Sequence, residues 1–117
     1  ALRPVRDAAG GVADFDIVEV NARMAALVGT SADDLVDQRL CELFPIVRIG
    51  GQLARLAAVL ASGEPAEYEV RTSDPRVAAE WVRQHVTPVF GPGGRVEGVT
   101  IMSRDVTDEA RAREELR

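Results

Sequence analysis

At 117 residues the chain is long enough for one hydrophobic core with a short tail and too short for two. A hydrophobic fraction of 46% and a charged fraction of 28% are ordinary for a globular domain, and no apolar run approaches the ~20 residues that cross a bilayer. All 14 basic residues are arginine, which excludes chemistry that needs a lysine, and a net charge of −5 without a basic block argues against nucleic acid as a partner. The lone Cys41 and lone His85 offer neither an internal disulfide nor a zinc-ligand spacing, so a reducing, cytoplasmic setting is expected. The opening residues lack an initiator Met and an apolar signal core, and the chain stops inside a helical pattern at Arg117; the expectation is a piece of a longer polypeptide.

Val5-Arg6 and residues 12–20 read as two short strands around Asp7-Ala8-Ala9-Gly10-Gly11, whose paired glycines supply the positive φ of a hairpin turn. Asn21 reads as the N-cap of a short helix over residues 22–28, stopped by Gly29. Thr30 or Ser31 caps the next turn, where Asp33 and Asp34 suit the positive helix end and Leu35 and Val36 point inward. Leu40, Leu43 and Phe44 continue the apolar content until Pro45 interrupts it. From Gly51 to Ser62, Leu53, Leu56, Ala57 and Leu60 fall at helical spacing, and Gly63 and Pro65 end the helix. The period then changes to two: Tyr68 and Val70 alternate with Glu67, Glu69 and Arg71, a strand with one wet face. A loop through Ser73-Asp74-Pro75-Arg76 leads to two strands, residues 80–90 and 95–106, joined by Gly91-Pro92-Gly93-Gly94. Arg104-Asp105-Val106-Thr107 then hands over to an Arg- and Glu-rich helix that leaves the body, capped by Thr107 and supported by Glu109 one turn before Arg113.

Two strands, several short helices, one longer helix and three antiparallel strands make an α+β order rather than a βαβ one. In that order the chain resembles PAS sensory domains along essentially its whole length. Residues 14–21, Asp-Phe-Asp-Ile-Val-Glu-Val-Asn, are similar to the second PAS strand entering its first helix. Ala32-Asp33-Asp34-Leu35-Val36 is similar to the usual Pro-Glu-Glu-Leu-Ile turn, followed by Asp37 where the family often has Gly. Trp81-Val82-Arg83, Thr87-Pro88-Val89 and residues 94–98 resemble the Trp strand, its Pro and the return strand. Asp105-Val106-Thr107 resembles the Asp-(Ile/Val)-Thr junction before a signalling helix. The resemblance implies a five-stranded antiparallel sheet, with short helices and one longer helix on one face and a C-terminal exit helix. Residues 1–106 would form the sensory domain and 107–117 the start of the signalling helix. It further implies a bacterial-type signalling protein whose downstream output domain is a cyclic-di-GMP enzyme, a histidine kinase or a phosphatase.

A hairpin turning about Pro92-Gly93 sets Arg83 opposite Met102, with Val82, Gln84 and Val86 sharing the core face with Val99, Ile101 and Ser103. An amide aimed among aliphatic side chains needs a partner, so Gln84, with Ser103, is the candidate polar contact of a small ligand resting on Leu53, Leu56, Leu60, Tyr68, Val70 and Ile101. Trp81, His85, Thr100 and Met102 share the other face, whose apolar members point to a covered surface and a homodimer. Asp105 and Thr107 form the expected signal relay, with Arg83 the first guanidinium for Asp105 to reach.

No cofactor is expected. The flavin-bonding Gly-x-Asn-Cys-Arg-Phe-Leu segment of light-sensing relatives has only Asp37-Gln38-Arg39-Leu40-Cys41-Glu42-Leu43 as its counterpart, with the Cys one place late and the Asn absent. The long helix carries no His for haem, and His85 lies on a strand. Two further readings stand beside the sensor: a ligand-free dimerisation scaffold and, more remotely, a small cavity-type enzyme. Against the enzyme, the carboxylates are dispersed and no Ser sits in a nucleophile-elbow context.

Overall fold

Asp7 closes the first reversal of the chain, its Oδ1 accepting from the backbone N–H of Ala9 and of Gly11, each at 2.9 Å, while Gly10 takes the positive φ of 85°. The turn joins β1 (Leu2–Arg6) to β2 (Val12–Ile17) and sets Leu2 against Ile17 and Pro4 against Phe15. This computed structural model describes residues 1–72 and 74–116; Ser73 of the expected loop and Arg117 at the end of the tail lie outside the described residues. β2 ends at Ile17 rather than Val20, because its ladder partner β1 begins at Leu2.

Five helices follow, four of them little more than one turn. α1 (Ala22–Leu27) is capped by Asn21, whose Oδ1 accepts from Met24 N–H at 2.8 Å, and α2 (Ala32–Leu35) by Ser31 through Asp34 N–H at 3.3 Å. Asp37 adopts φ 68°, the left-handed conformation where the family often places Gly. α3 (Leu40–Leu43) stops at Phe44, and Pro45 both breaks the run and opens α4 (Ile46–Ile49). Only α5 (Gln52–Ser62) lays a continuous apolar stripe on the sheet, burying Leu56, Val59 and Leu60.

The second half supplies β3 (Ala66–Arg71), β4 (Trp81–Phe90) and β5 (Val96–Asp105), and the sheet is antiparallel in the order β2-β1-β5-β4-β3. The β4–β5 connection is longer than a turn about Pro92-Gly93 would make it. Gly91 N–H bonds to Arg95 O at 2.7 Å, and a bulge lies between Val89 and Phe90. Arg83 therefore pairs with Arg104, and His85 with Met102. The slip is two residues, an even number, so every side chain keeps its expected face.

Beneath the helices Phe15, Leu56, Val86 and Val99 are fully buried, and the polar residue buried among them is Asp14. Its Oδ1 accepts from the N–H of Phe15 at 2.7 Å and of Cys41 at 2.9 Å, while Arg48 on α4 donates to Ala13 O at 2.7 Å and lies 3.7 Å from Asp14 Oδ2. One carboxylate thus clips β2 to α3 and α4. Asp14→Ala, which leaves two buried donors without their acceptor, is expected to cost about 2–3 kcal/mol in urea unfolding. Asp16→Ala, which removes an exposed pair with Arg39, should cost less than about 1 kcal/mol.

Candidate functional site

Packing is solid on one half of the sheet and hollow on the other. Between the short helices, the N-terminal end of α5 and the inner face of β3, β4 and β5 lies a cavity of about 640 Å³, of the size that holds a small ligand. Four of the expected ligand-binding residues, Gln84, Ser103, Val70 and Ile101, line it. Leu53, Leu56, Leu60 and Tyr68 do not. The α5 stripe is spent on close packing: Leu56 and Leu60 are buried, Leu53 packs against them, and Tyr68 opens onto a shallower groove beside α5. The cavity walls come instead from α1 to α4, through Met24, Leu27, Leu35, Phe44 and Val47.

Ladder pairing sets Tyr68 against Gln84 and Gln84 against Ser103, a row of three polar side chains across the inner face. Gln52, in the first turn of α5, donates from Nε2 to Gln84 Oε1. It sits one turn before Leu56, so the buried stripe of α5 carried the signal for a residue the sequence reading passed over. The Tyr68 hydroxyl is buried without a hydrogen-bond partner among the described residues, and burial pushes the phenol pKa up, with Gln52 and Arg55 opposing. The Arg55 guanidinium lies over the Tyr68 ring, 4.6 Å from its centre.

The β3–β4 loop roofs the cavity with Thr72, Asp74 and Val77. Arg76 straps this roof down: it donates to Leu43 O and to Asp74, and its guanidinium lies 4.6 Å from the centre of the Phe44 ring. Ala78 N–H bonds to Leu27 O at 2.9 Å. Gly29 completes the seam, since a Cβ there would stand 2.7 Å from Arg76 O.

The exit helix α6 (Thr107–Glu115) does not leave the body as the sequence reading expects; it crosses the outer face of β4 and β3 with Ala110 buried. Ion pairs pull it there. Arg113 donates to Glu69 at 2.6 Å and Arg111 to Glu80 at 2.6 Å, while Glu109 faces Arg83 and Arg104 at 3.7 and 3.5 Å, not Arg113. The expected Asp105–Arg83 contact is not made. The register sets Asp105 opposite Val82, and Arg83 binds Glu69 at 2.8 Å. The two junction residues also exchange the expected capping role. Asp105 Oδ1 accepts from Thr107 N–H at 2.9 Å, whereas Thr107 Oγ1 accepts from the N–H of Glu80 at 3.0 Å and of Trp81 at 3.1 Å. The hydrogen bonds from Thr107 hold the Asp105 carboxyl below its ordinary pKa.

Of the outer-face residues, Met102 is 67% exposed and His85 exposed, while Trp81 and Thr100 are partly covered. Cys41 is buried away from the cavity lining, its thiol pushed up to about 11 by burial first and Asp14 second.

An antiparallel sheet in the order β2-β1-β5-β4-β3, a cavity on its inner face and a helix issuing from the last strand define an α+β module built on a single sheet. The chain belongs to the PAS family: a family model described as PAS fold matches residues 12–111. The fold is similar to the crystal structure of a sensory box sensor histidine kinase from Vibrio cholerae (TM-score 0.68, 21% identity, covering 92% of this chain and 82% of that one). It is also similar to the PAS domain of a protein from Colwellia psychrerythraea (TM-score 0.61, 18% identity, 92% and 86% covered). No curated protein matches the chain by sequence.

The α6 contacts are sensitive to acid. Glu69 is held below the ordinary 4.5 chiefly by Arg113 and then Arg83, and Glu80 chiefly by Arg111. Carboxylates with lowered pKa contribute above their ordinary value and lose that contribution as the pH falls through the lowered range. Below 4.5 the amides of α6 should lose hydrogen-exchange protection while those of β4 and β5 keep it, and high salt at neutral pH should act in the same direction.

Proposed function

We propose that this PAS domain senses a small, mainly apolar ligand in the cavity and passes its presence to a C-terminal output domain through the β5–α6 junction. The observation that carries the reading is the cavity of about 640 Å³, walled mainly by apolar side chains, with Gln52, Gln84 and Ser103 among its polar contacts. Residues 1–106 act as the sensor and the helix from Thr107 onward as the linker; the fragment itself is non-catalytic. Of a cyclic-di-GMP enzyme, a histidine kinase and a phosphatase, the kinase is favoured as output by the Vibrio cholerae neighbour, a sensory box sensor histidine kinase. The setting is cytoplasmic, and among the described residues no helix is long and apolar enough to cross a membrane.

A second reading, a ligand-free scaffold that dimerises through Trp81, His85, Thr100 and Met102, is favoured by the 67% exposure of Met102 on the outer face. The two readings separate in a thermal-shift screen of metabolites combined with sedimentation. A true ligand at a hundredfold excess over its Kd should add about 2.7 kcal/mol of stability, and Gln84→Leu should remove the preference for ligands with a polar end. A dimer with no ligand response leaves the scaffold; a strict monomer with none refutes both.

The relay has a material route. Thr72, on the cavity roof, bonds through its N–H to Glu80 O at 2.9 Å; Glu80 N–H bonds to Thr107, and the Glu80 carboxylate to Arg111. A ligand that displaces the roof therefore displaces the seat of α6, which is the differential contact a switch requires. In the protein carrying its output domain, Asp105→Ala should cost only about 1 kcal/mol of stability yet abolish or lock control of the output. Normal regulation in that folded variant would sink the relay.

A further inference from the structure

The wall chemistry narrows the ligand class. Resting on the reading of this cavity as the sensing site, we infer that its ligand is a flexible aliphatic chain ending in a carboxylate, with the carboxylate held by Arg55, Gln84 and Ser103. The apolar lining is aliphatic except for Phe44, and the one face of that ring with an identified neighbour carries the Arg76 guanidinium. A planar conjugated molecule finds a single lining ring there, already carrying a guanidinium on one face, whereas a bending alkyl chain can follow branched side chains in any direction.

The polar end is biased towards donors. Gln52 fills the Gln84 carbonyl oxygen, so what Gln84 offers to the cavity is its Nε2 hydrogens. Neither that nitrogen nor the Ser103 hydroxyl bonds to a protein group among the described residues, and neither is sealed off as the Tyr68 hydroxyl is. Arg55 is the cation on the lining that no acid neutralises among the described residues; Arg71 is paired with Glu80. Of the acids on the lining, Asp74 is taken by Arg76, and Glu19 lies beyond β2, at the sheet edge opposite β3. Unspent donors and one unspent positive charge gathered at the same end fit an anionic acceptor, and an ammonium or a second donor would meet them unfavourably.

The experiment is calorimetric titration of the domain with decanoate, decanol and decylamine below their aggregation limits. Decanoate should bind tightest and decylamine weakest. Arg55→Gln should weaken decanoate roughly tenfold or more and leave decanol unchanged, while Arg55→Lys should keep part of the preference. Arg55 is exposed and its one identified contact is the stacking on Tyr68, so the variants should fold, which circular dichroism verifies. Equal affinity for decanoate and decylamine, or an Arg55→Gln protein with the same decanoate-to-decanol ratio, would overturn the carboxylate assignment while leaving the cavity a binding site. Failure of all three probes, with some other compound in the thermal-shift screen binding, would overturn the aliphatic class but not sensing. If no compound binds at all, the sensing reading falls with it.

Discussion

The inner face of a five-stranded sheet has to be covered, and among the described residues only one helix on that face is long enough to do so by stripe packing. α5 runs eleven residues and presents three buried apolar side chains along one side. The other four helices, of six residues or fewer, are too short to hold themselves and depend on caps, on Pro45 and on the Asp14 clip. A chain with 4% aromatic residues cannot fill the remaining volume with large rings. The result is a core that is dense under α5 and open under α1 to α4, and the position of the cavity follows from that division.

The roof and the exit helix are consequences of the same shortage. With the short helices leaving a gap, the β3–β4 loop is drawn over it, and Arg76 satisfies the end of α3 by donating to Leu43 O. The loop then returns to β4 at Glu80 and Trp81, the two backbone N–H groups that the Thr107 hydroxyl receives. The cover of the cavity and the first residue of α6 are therefore separated by one shared pair of residues. Glu69, which alternation along β3 leaves wet, and Glu80, in the loop just before β4, become the docking points for the arginines of α6.

Sequence periodicity carried the fold because it reports sidedness, and sidedness survives a two-residue register slip; Val82, Gln84 and Val86 were legible as core-facing whatever the turn length. The turn itself was not legible. A Gly-Pro-Gly-Gly run accepts several geometries, and the bulge at Val89–Phe90 is decided by the ladder rather than by the residues in the turn. The cavity lining was half legible. Gln84 and Ser103 follow from alternation, but which apolar residues face a void rather than one another depends on how far α5 reaches, and no local pattern encodes that. Arg76 reads as one more loop arginine, because its partners lie 33 residues away on α3. Asp105 and Thr107 stood out as a pair, while their separate tasks depend on which strand lies across from them.

The docking of α6 is the step where a small free-energy difference can become a change of state. The helix has nine residues, too few to be stable in isolation, and it buries little beyond Ala110. Its remaining hold is through ion pairs whose arginines are largely solvated, which keeps each of them weak. If the proposed sensing holds, a helix held this loosely would need only a small differential affinity from a ligand to shift from docked to released. The dense half of the core, by contrast, resists any such shift. On the proposed reading, a displacement of the roof would pass most easily through Glu80 into α6, because the contacts along that path are polar and few.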